Sequence, residues 1–177
     1  MFEYLQNGLW IIEAISVGAM FSFTYFLALK KRWAWFLYLV FCVGMLIVFT
    51  QKESWITVMN QFATMFLAIR NIIIWDWSDE KRKRALLTDY AIIPWFVSSV
   101  IIFWPGTVIN AWWEVLMWVF IITKQVSWGR KSRGGWWILI GQHIFATGFN
   151  IVSGTFVLLI RPVVEISLAI YGLRKWK

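Results

Sequence analysis

A chain of 177 residues that is 60% hydrophobic, 20% aromatic and only 15% charged is not composed like a soluble domain. Soluble domains are roughly 45–50% apolar and at this size bury only about two-thirds of their unfolded surface, so lipid is the solvent this composition requires. The net charge of +8 would suggest nucleic acid in a soluble protein. Here Lys and Arg stand in short clusters between apolar runs, the positive-inside distribution, and no nucleic-acid partner is expected.

Residues 1–7 carry Glu3 and no basic residue, so they lack the charged region of a signal peptide, and the first helix is expected to be retained. A spanning helix needs about 20 mostly apolar residues. The first such run covers 8–29 and stops at Lys30-Lys31-Arg32. The second covers 33–50, before the polar turn Gln51-Lys52-Glu53-Ser54, and the third covers 55–75. A charged loop, 76–84, follows with Lys81, Arg82, Lys83 and Arg84. The fourth run, 88–104, is short, carries Asp89 and Pro94, and ends at Pro105-Gly106. The fifth, 108–127, precedes Arg130-Lys131-Ser132-Arg133, and the sixth and seventh cover 134–151 and 155–173. The one cysteine, Cys42, lies within the second run and has no intrachain partner.

Parity settles the fourth run. With seven spans, the loops after the first, third and fifth and the tail Arg174-Lys175-Trp176-Lys177 share one side, and they hold nearly all the clustered Lys and Arg. The expected topology is therefore N-terminus outside and C-terminus cytoplasmic, in a bacterial-type inner membrane. A gapless offset of 101 places Glu13 on Glu114, Lys30 on Lys131, Arg32 on Arg133, Trp35 on Trp136 and Trp75 on Trp176. Helix boundaries and basic turns coincide at that offset. The expected fold is all-α: seven transmembrane helices as two parallel three-helix repeats joined by one helix. The whole chain, 1–177, is one transmembrane domain: a first unit 8–75, a cytoplasmic loop and linker helix 76–107, and a second unit 108–177.

No hydrolase elbow, phosphate loop or zinc spacing occurs, and with one His and one Cys no metal, cofactor or enzymatic activity is expected. Polar residues at membrane depth are the informative ones, since a charge at a helix centre costs roughly 2.5–3.5 kcal/mol on insertion scales and so faces a bundle interior or wet cavity. The third span has Asn60, Gln61, Arg70 and Asn71, and the fifth has Glu114 and Lys124. The sixth has Gln142, His143 and Asn150, and the seventh has Arg161 and Glu165, four residues apart on one face. Arg70 and Lys124 lie near basic ends, where long cations snorkel to water. Glu13 and Glu114 lie close enough to the outer surface to be hydrated. Arg161 and Glu165 suit an ion pair or a substrate equally. Gln142 and His143, just after Trp136 and Trp137, are expected to face an internal cavity with a Trp wall. Aromatic rings with a few amide or imidazole groups suit a flat heteroaromatic ligand.

These features resemble the PnuC-type nicotinamide riboside transporters. Residues 10–77 are similar to that family's first half: Trp10 closely followed by Glu13-Ala14, a basic turn, an aromatic second helix and the closing Trp75-Asp76-Trp77. Residues 111–176 are similar to its second half, including Gly172 and Trp176. Of the family's sixth-helix signature, Trp136 stands at the first position, while Leu139 and His143 replace a Trp and an Asn. The segment Leu67-Ala68-Ile69-Arg70-Asn71 resembles small YgjV-type inner-membrane proteins. The first resemblance implies a three-plus-one-plus-three fold related to the SWEET sugar transporters. It also implies passive transport of a vitamin precursor, such as nicotinamide riboside or a related aromatic or ribosylated solute, by alternating access. The bilayer and a small-molecule substrate are then the partners, and a homo-oligomer is compatible with the pattern. On this reading the substrate contacts are Gln142, His143, Trp136, Trp137, Asn60, Gln61, Asn150, Arg161 and Glu165. The contrasting expectation is a structural or regulatory membrane protein or pore former, with those polar residues on a flat exposed face.

Overall fold

Lipid offers no partners to backbone N–H and C=O groups, so a chain this apolar satisfies them within helices. The computed structural model describes residues 8–51, 55–85, 94, 97–98, 111–152 and 160–176, and among them every regular element is a helix. These are α1 (Leu9–Ala28), α2 (Ala34–Gln51), α3 (Trp55–Ile74), α4 (Asp79–Arg84), α5 (Ala111–Gly129), α6 (Gly134–Val152) and α7 (Ile160–Lys175). By length and apolarity α1, α2 and Thr57–Ile74 of α3 can each cross a bilayer. The expected linker span 88–104 lies outside the described residues, apart from Pro94, Val97 and Ser98.

One expected loop is partly helical. Residues 79–84 form α4 because Asp79 and Glu80 sit in its first turn, where acidic groups complement the helix N-terminus. Ser78 Oγ accepts from the Lys81 N–H at 3.5 Å, and Arg82 pairs with Asp79 at 3.0 Å.

The two basic turns have the same hydrogen bonds at an offset of 101. Lys30 N–H donates to Leu27 O and Lys131 N–H to Trp128 O, both at 2.8 Å. Lys31 N–H donates to Phe26 O at 3.0 Å, and Ser132 N–H to Ser127 O at 2.9 Å. Trp35 N–H to Arg32 O and Trp136 N–H to Arg133 O follow at 3.2 and 3.1 Å. Lys30 and Lys131 are the described non-glycine residues with positive φ, 57° and 54°. The repeat is thus a structural one, in the register its sequence indicates.

Within the units α1 packs on α2 and α2 on α3, as α5 packs on α6 and α6 on α7. Between the units α1 packs on α7 and α3 on α5. Since α1 corresponds to α5 and α3 to α7, these two seams are one contact seen twice, related by a pseudo-two-fold axis along the helices. The result is a ring of six parallel and antiparallel helices.

Close approach between neighbouring helices needs small residues, at the α6–α7 contact and at the α3–α5 seam. A Cβ on Gly172 would lie 2.5 Å from the Trp136 indole, and one on Gly129 would overlap the Asn71 carboxamide. Asn71 Nδ2 donates to Gln125 O at 3.3 Å, and Trp176 Nε1 donates to Leu27 O and Ala28 O at 3.2 Å. Each seam therefore ends with a side chain capping carbonyls at the C-terminal end of the facing helix. The basic turns share that end: Arg32 pairs with Asp76 at 2.8 Å, and Lys131 Nζ lies 4.9 Å from the Trp75 ring centre. Partial burial, then the nearby Arg82 cation, holds the Lys131 pKa below the usual lysine value.

Candidate functional site

Helical periodicity turns one stripe of each long helix inward. On α5 that stripe carries Trp118, Lys124, Gln125 and Trp128, and on α6 it carries Trp136, Leu139, Gln142 and His143, all buried. Thr24 on α1, Tyr38 and Cys42 on α2, Asn60, Gln61 and Thr64 on α3, and Glu165 on α7 are buried as well.

At the basic end six aromatic rings close a cycle, one supplied by each long helix or its last turn. Phe23 lies 5.1 Å from Trp35 and Trp35 lies 6.1 Å from Trp75 between ring centres. The cycle continues from Trp75 to Trp176 at 6.3 Å and to Trp136 at 5.5 Å. It returns through Trp128 at 5.1 Å and back to Phe23 at 5.7 Å. These rings are at most 3% exposed, so they seal the bundle at this end.

Deeper in the bundle lies a polar cluster. Lys124 Nζ donates to Gln142 Oε1 at 2.8 Å and sits 5.2 Å from the Trp128 ring centre. The Thr24 hydroxyl donates to Glu165 Oε2 at 3.3 Å, across the α1–α7 seam. Arg161 and Lys124 both act electrostatically on Glu165 and on His143. Glu165 Oε1, His143 Nδ1, Arg161 Nε and both polar atoms of the Gln125 side chain have no hydrogen-bond partner among the described residues. Opposite them, Thr64 Oγ1 donates to Gln61 O at 2.9 Å and lies 3.2 Å from Gln61 Oε1 and 3.6 Å from Cys42 Sγ. A cleft of about 430 Å³ lies elsewhere, on the outer face of α3 against α4, lined by Phe66, Ile69, Arg70, Ile73, Trp77 and Lys81.

Of the residues singled out in the sequence, His143, Arg161 and Glu165 lie within electrostatic reach of Lys124, which is bonded to Gln142. Asn60 and Gln61 are buried on α3, while Trp136 belongs to the aromatic cycle at the basic end. Trp137 does not join them. It is 62% exposed, because one residue along a helix is a turn of about 100° and Trp136 takes the inward direction. The side chain of Asn150 lies outside the described residues. Neither cation expected to snorkel reaches water that way. Lys124 is 2% exposed and points inward, while Arg70 donates to Asn71 Oδ1 at 2.9 Å and to Ala85 O at 3.4 Å. Lys124 is the site residue that proximity to the helix end concealed. Its spacing of four from Trp128 on the stripe of large inward residues was the available signal.

A family described as Nicotinamide mononucleotide transporter matches residues 10–177. No curated protein and no solved structure matches the chain.

Proposed function

Because the chain belongs to the nicotinamide mononucleotide transporter family, we propose that it is a passive carrier of a nicotinamide-related riboside or nucleotide. The observation that supports this reading is the buried polar cluster inside the helix ring, with unpaired donors and acceptors beside indole walls. Hydrogen-bonding groups are kept in a bilayer interior at a cost of several kcal/mol when unpaired, and a transported solute supplies the missing partners. Gln142, His143, Arg161 and Glu165 make the polar contacts, Asn60 and Gln61 face them from α3, and Trp136 forms one wall.

The basic end faces the cytoplasm, and the aromatic cycle is the inner gate. Alternating access follows from rocking the two units about the seams α1–α7 and α3–α5, which the Thr24–Glu165, Asn71–Gln125 and Trp176–Leu27 contacts bridge among the described residues. A regulatory subunit or pore former fits less well, since Asn60, Gln61, Gln142, His143 and Glu165 are buried rather than on an exposed face.

Uptake of radiolabelled nicotinamide riboside and nicotinamide mononucleotide into proteoliposomes, without any ion gradient, tests the reading. The expected result is saturable entry of at least one compound that stops when inside and outside concentrations match. Uptake no greater than in protein-free liposomes would overturn transport, and accumulation above the outside concentration would overturn its passive character. A Gln142→Ala, His143→Ala double variant that inserts normally and transports unchanged would remove both residues from the site.

A further inference from the structure

The aromatic cycle obeys the repeat in four of its rings and breaks it in two. At the offset of 101, Trp35 and Trp75 correspond to Trp136 and Trp176. Their contacts match, Trp35 to Trp75 at 6.1 Å and Trp136 to Trp176 at 5.5 Å. The other two rings are not mates. Phe23 corresponds to Lys124, and Trp128 corresponds to Leu27. The second unit therefore places its ring one helical turn nearer the basic end, and a cation stands where the first unit has a ring. Trp128 still closes the cycle, 5.1 Å from Trp136 and 5.7 Å from Phe23.

This exchange puts an ammonium between the seal and the polar cluster. Lys124 is 2% exposed, its Nζ lies 5.2 Å from the Trp128 ring centre, and it donates to Gln142 Oε1 at 2.8 Å. Lys124 and Trp128 are four residues apart and share a helix face. The cycle passes from one unit to the other at two contacts, Trp75–Trp176 and Phe23–Trp128, so Lys124 touches a ring that makes one of them. The mate of Gln142 is Phe41, so the first unit has no such link. A ligand moves a two-state equilibrium only through groups that it contacts differently in the two states. The Lys124–Gln142 bond, with one end in the cluster and the other on the seal, is such a group.

Resting on the transport reading above, we propose that Lys124 is the positioning residue that couples occupancy of the polar cluster to the aromatic seal. Bound to Gln142, the ammonium holds the Trp128 ring by its face, in a dry setting where that attraction is strongest, and the seal stays closed. A solute that takes the Gln142 carboxamide draws the ammonium toward its own acceptors. Trp128 is then free to part from Phe23 as the units rock.

The chain's one cysteine reads the state of the seal. Cys42 is buried and lies seven residues beyond Trp35 along α2, away from the basic turn, about 10 Å at 1.5 Å per residue. Labelling by a membrane-impermeant maleimide, in membrane vesicles that expose the basic end and without solute, should be slow in the native protein. Lys124→Met and Gln142→Met should each speed it about tenfold, while Lys124→Arg stays within about threefold. The double variant should label no faster than either single one, because both remove the same link. A Lys124→Met protein with an unchanged thermal midpoint and native labelling would overturn the inference. So would a double variant whose increase is the product of the two single ones, the mark of two unrelated losses of packing. Transport reads the coupling itself. With nicotinamide riboside in proteoliposomes, exchange against internal solute should run severalfold faster than net entry in the native protein, and at about the same rate in Lys124→Met. An equal advantage of exchange in both proteins would refute the coupling. If neither the riboside nor the mononucleotide enters, the transport reading falls, and the labelling still decides whether Lys124 holds the seal.

Discussion

Gly172 and Trp136 show how one side chain sets the distance between two helices. Trp136 is fully buried, and its indole lies where a Cβ on Gly172 would come within 2.5–2.7 Å of three ring atoms. The ring cannot swing aside, because Trp128 and Trp176 flank it at 5.1 and 5.5 Å. Overpacking a well-filled contact of this kind costs about 1–3 kcal/mol. Gly172→Ala should therefore lower the thermal midpoint in detergent by several degrees. Gly18→Ala and Gly148→Ala, whose Cβ atoms would meet nothing within 4 Å, should not lower it, and equal loss at all three glycines would refute the packing argument.

The turn between the first two helices of each unit tests the repeat at the scale of an element. Lys30 and Lys131 occupy the left-handed region, which a residue with a Cβ enters at about 1–2 kcal/mol. Glycine relieves that cost. Lys30 is exposed, while Lys131 is partly buried with its ammonium over the Trp75 ring, a contact worth about 0.5–1 kcal/mol. Lys30→Gly should raise stability by roughly 0.5–1 kcal/mol, and Lys131→Gly should leave it nearly unchanged because the two terms offset. Val at either position should destabilise, since β-branched residues enter this region worst. A Val variant tolerated at one turn and not at the other, measured by thermal unfolding, would separate turns that the structure makes equivalent.

At the scale of the molecule, pseudo-two-fold packing brings the C-terminal ends of α1, α3, α5 and α7 to one end, together with their basic turns. Four such segments on one side give a strong positive-inside bias. A green fluorescent protein fused after Lys177 should fluoresce in intact cells and an alkaline phosphatase at the same place should be inactive. The reverse pair of results would overturn the proposed orientation. The two units have the same hydrogen bonds at their basic turns and differ in charge, since Lys124, Arg161 and Glu165 of the second stand where the first has Phe23, Asn60 and Thr64.

The six long described helices were legible in the sequence alone, because in lipid every backbone group must be satisfied within its own segment and only long apolar runs can do that, whereas the short α4 was expected as loop. The offset of 101 was legible too, since basic clusters mark where each helix must end. Gln142 and His143 are buried, as the cost of facing lipid requires. Other features depended on which face each helix presents to its neighbours. Trp136 and Trp137 are chemically identical, and only the contact of α6 with α5 and α7 turns the first inward and leaves the second exposed among the described residues. Lys124 stood near enough to a helix end to snorkel, and Gln142 across the α5–α6 contact drew it inward instead. The aromatic cycle joins Phe23, Trp35, Trp75, Trp128, Trp136 and Trp176. No sequence pattern announces it, because its neighbours come from six helices and ring closure depends on the seams between the two units.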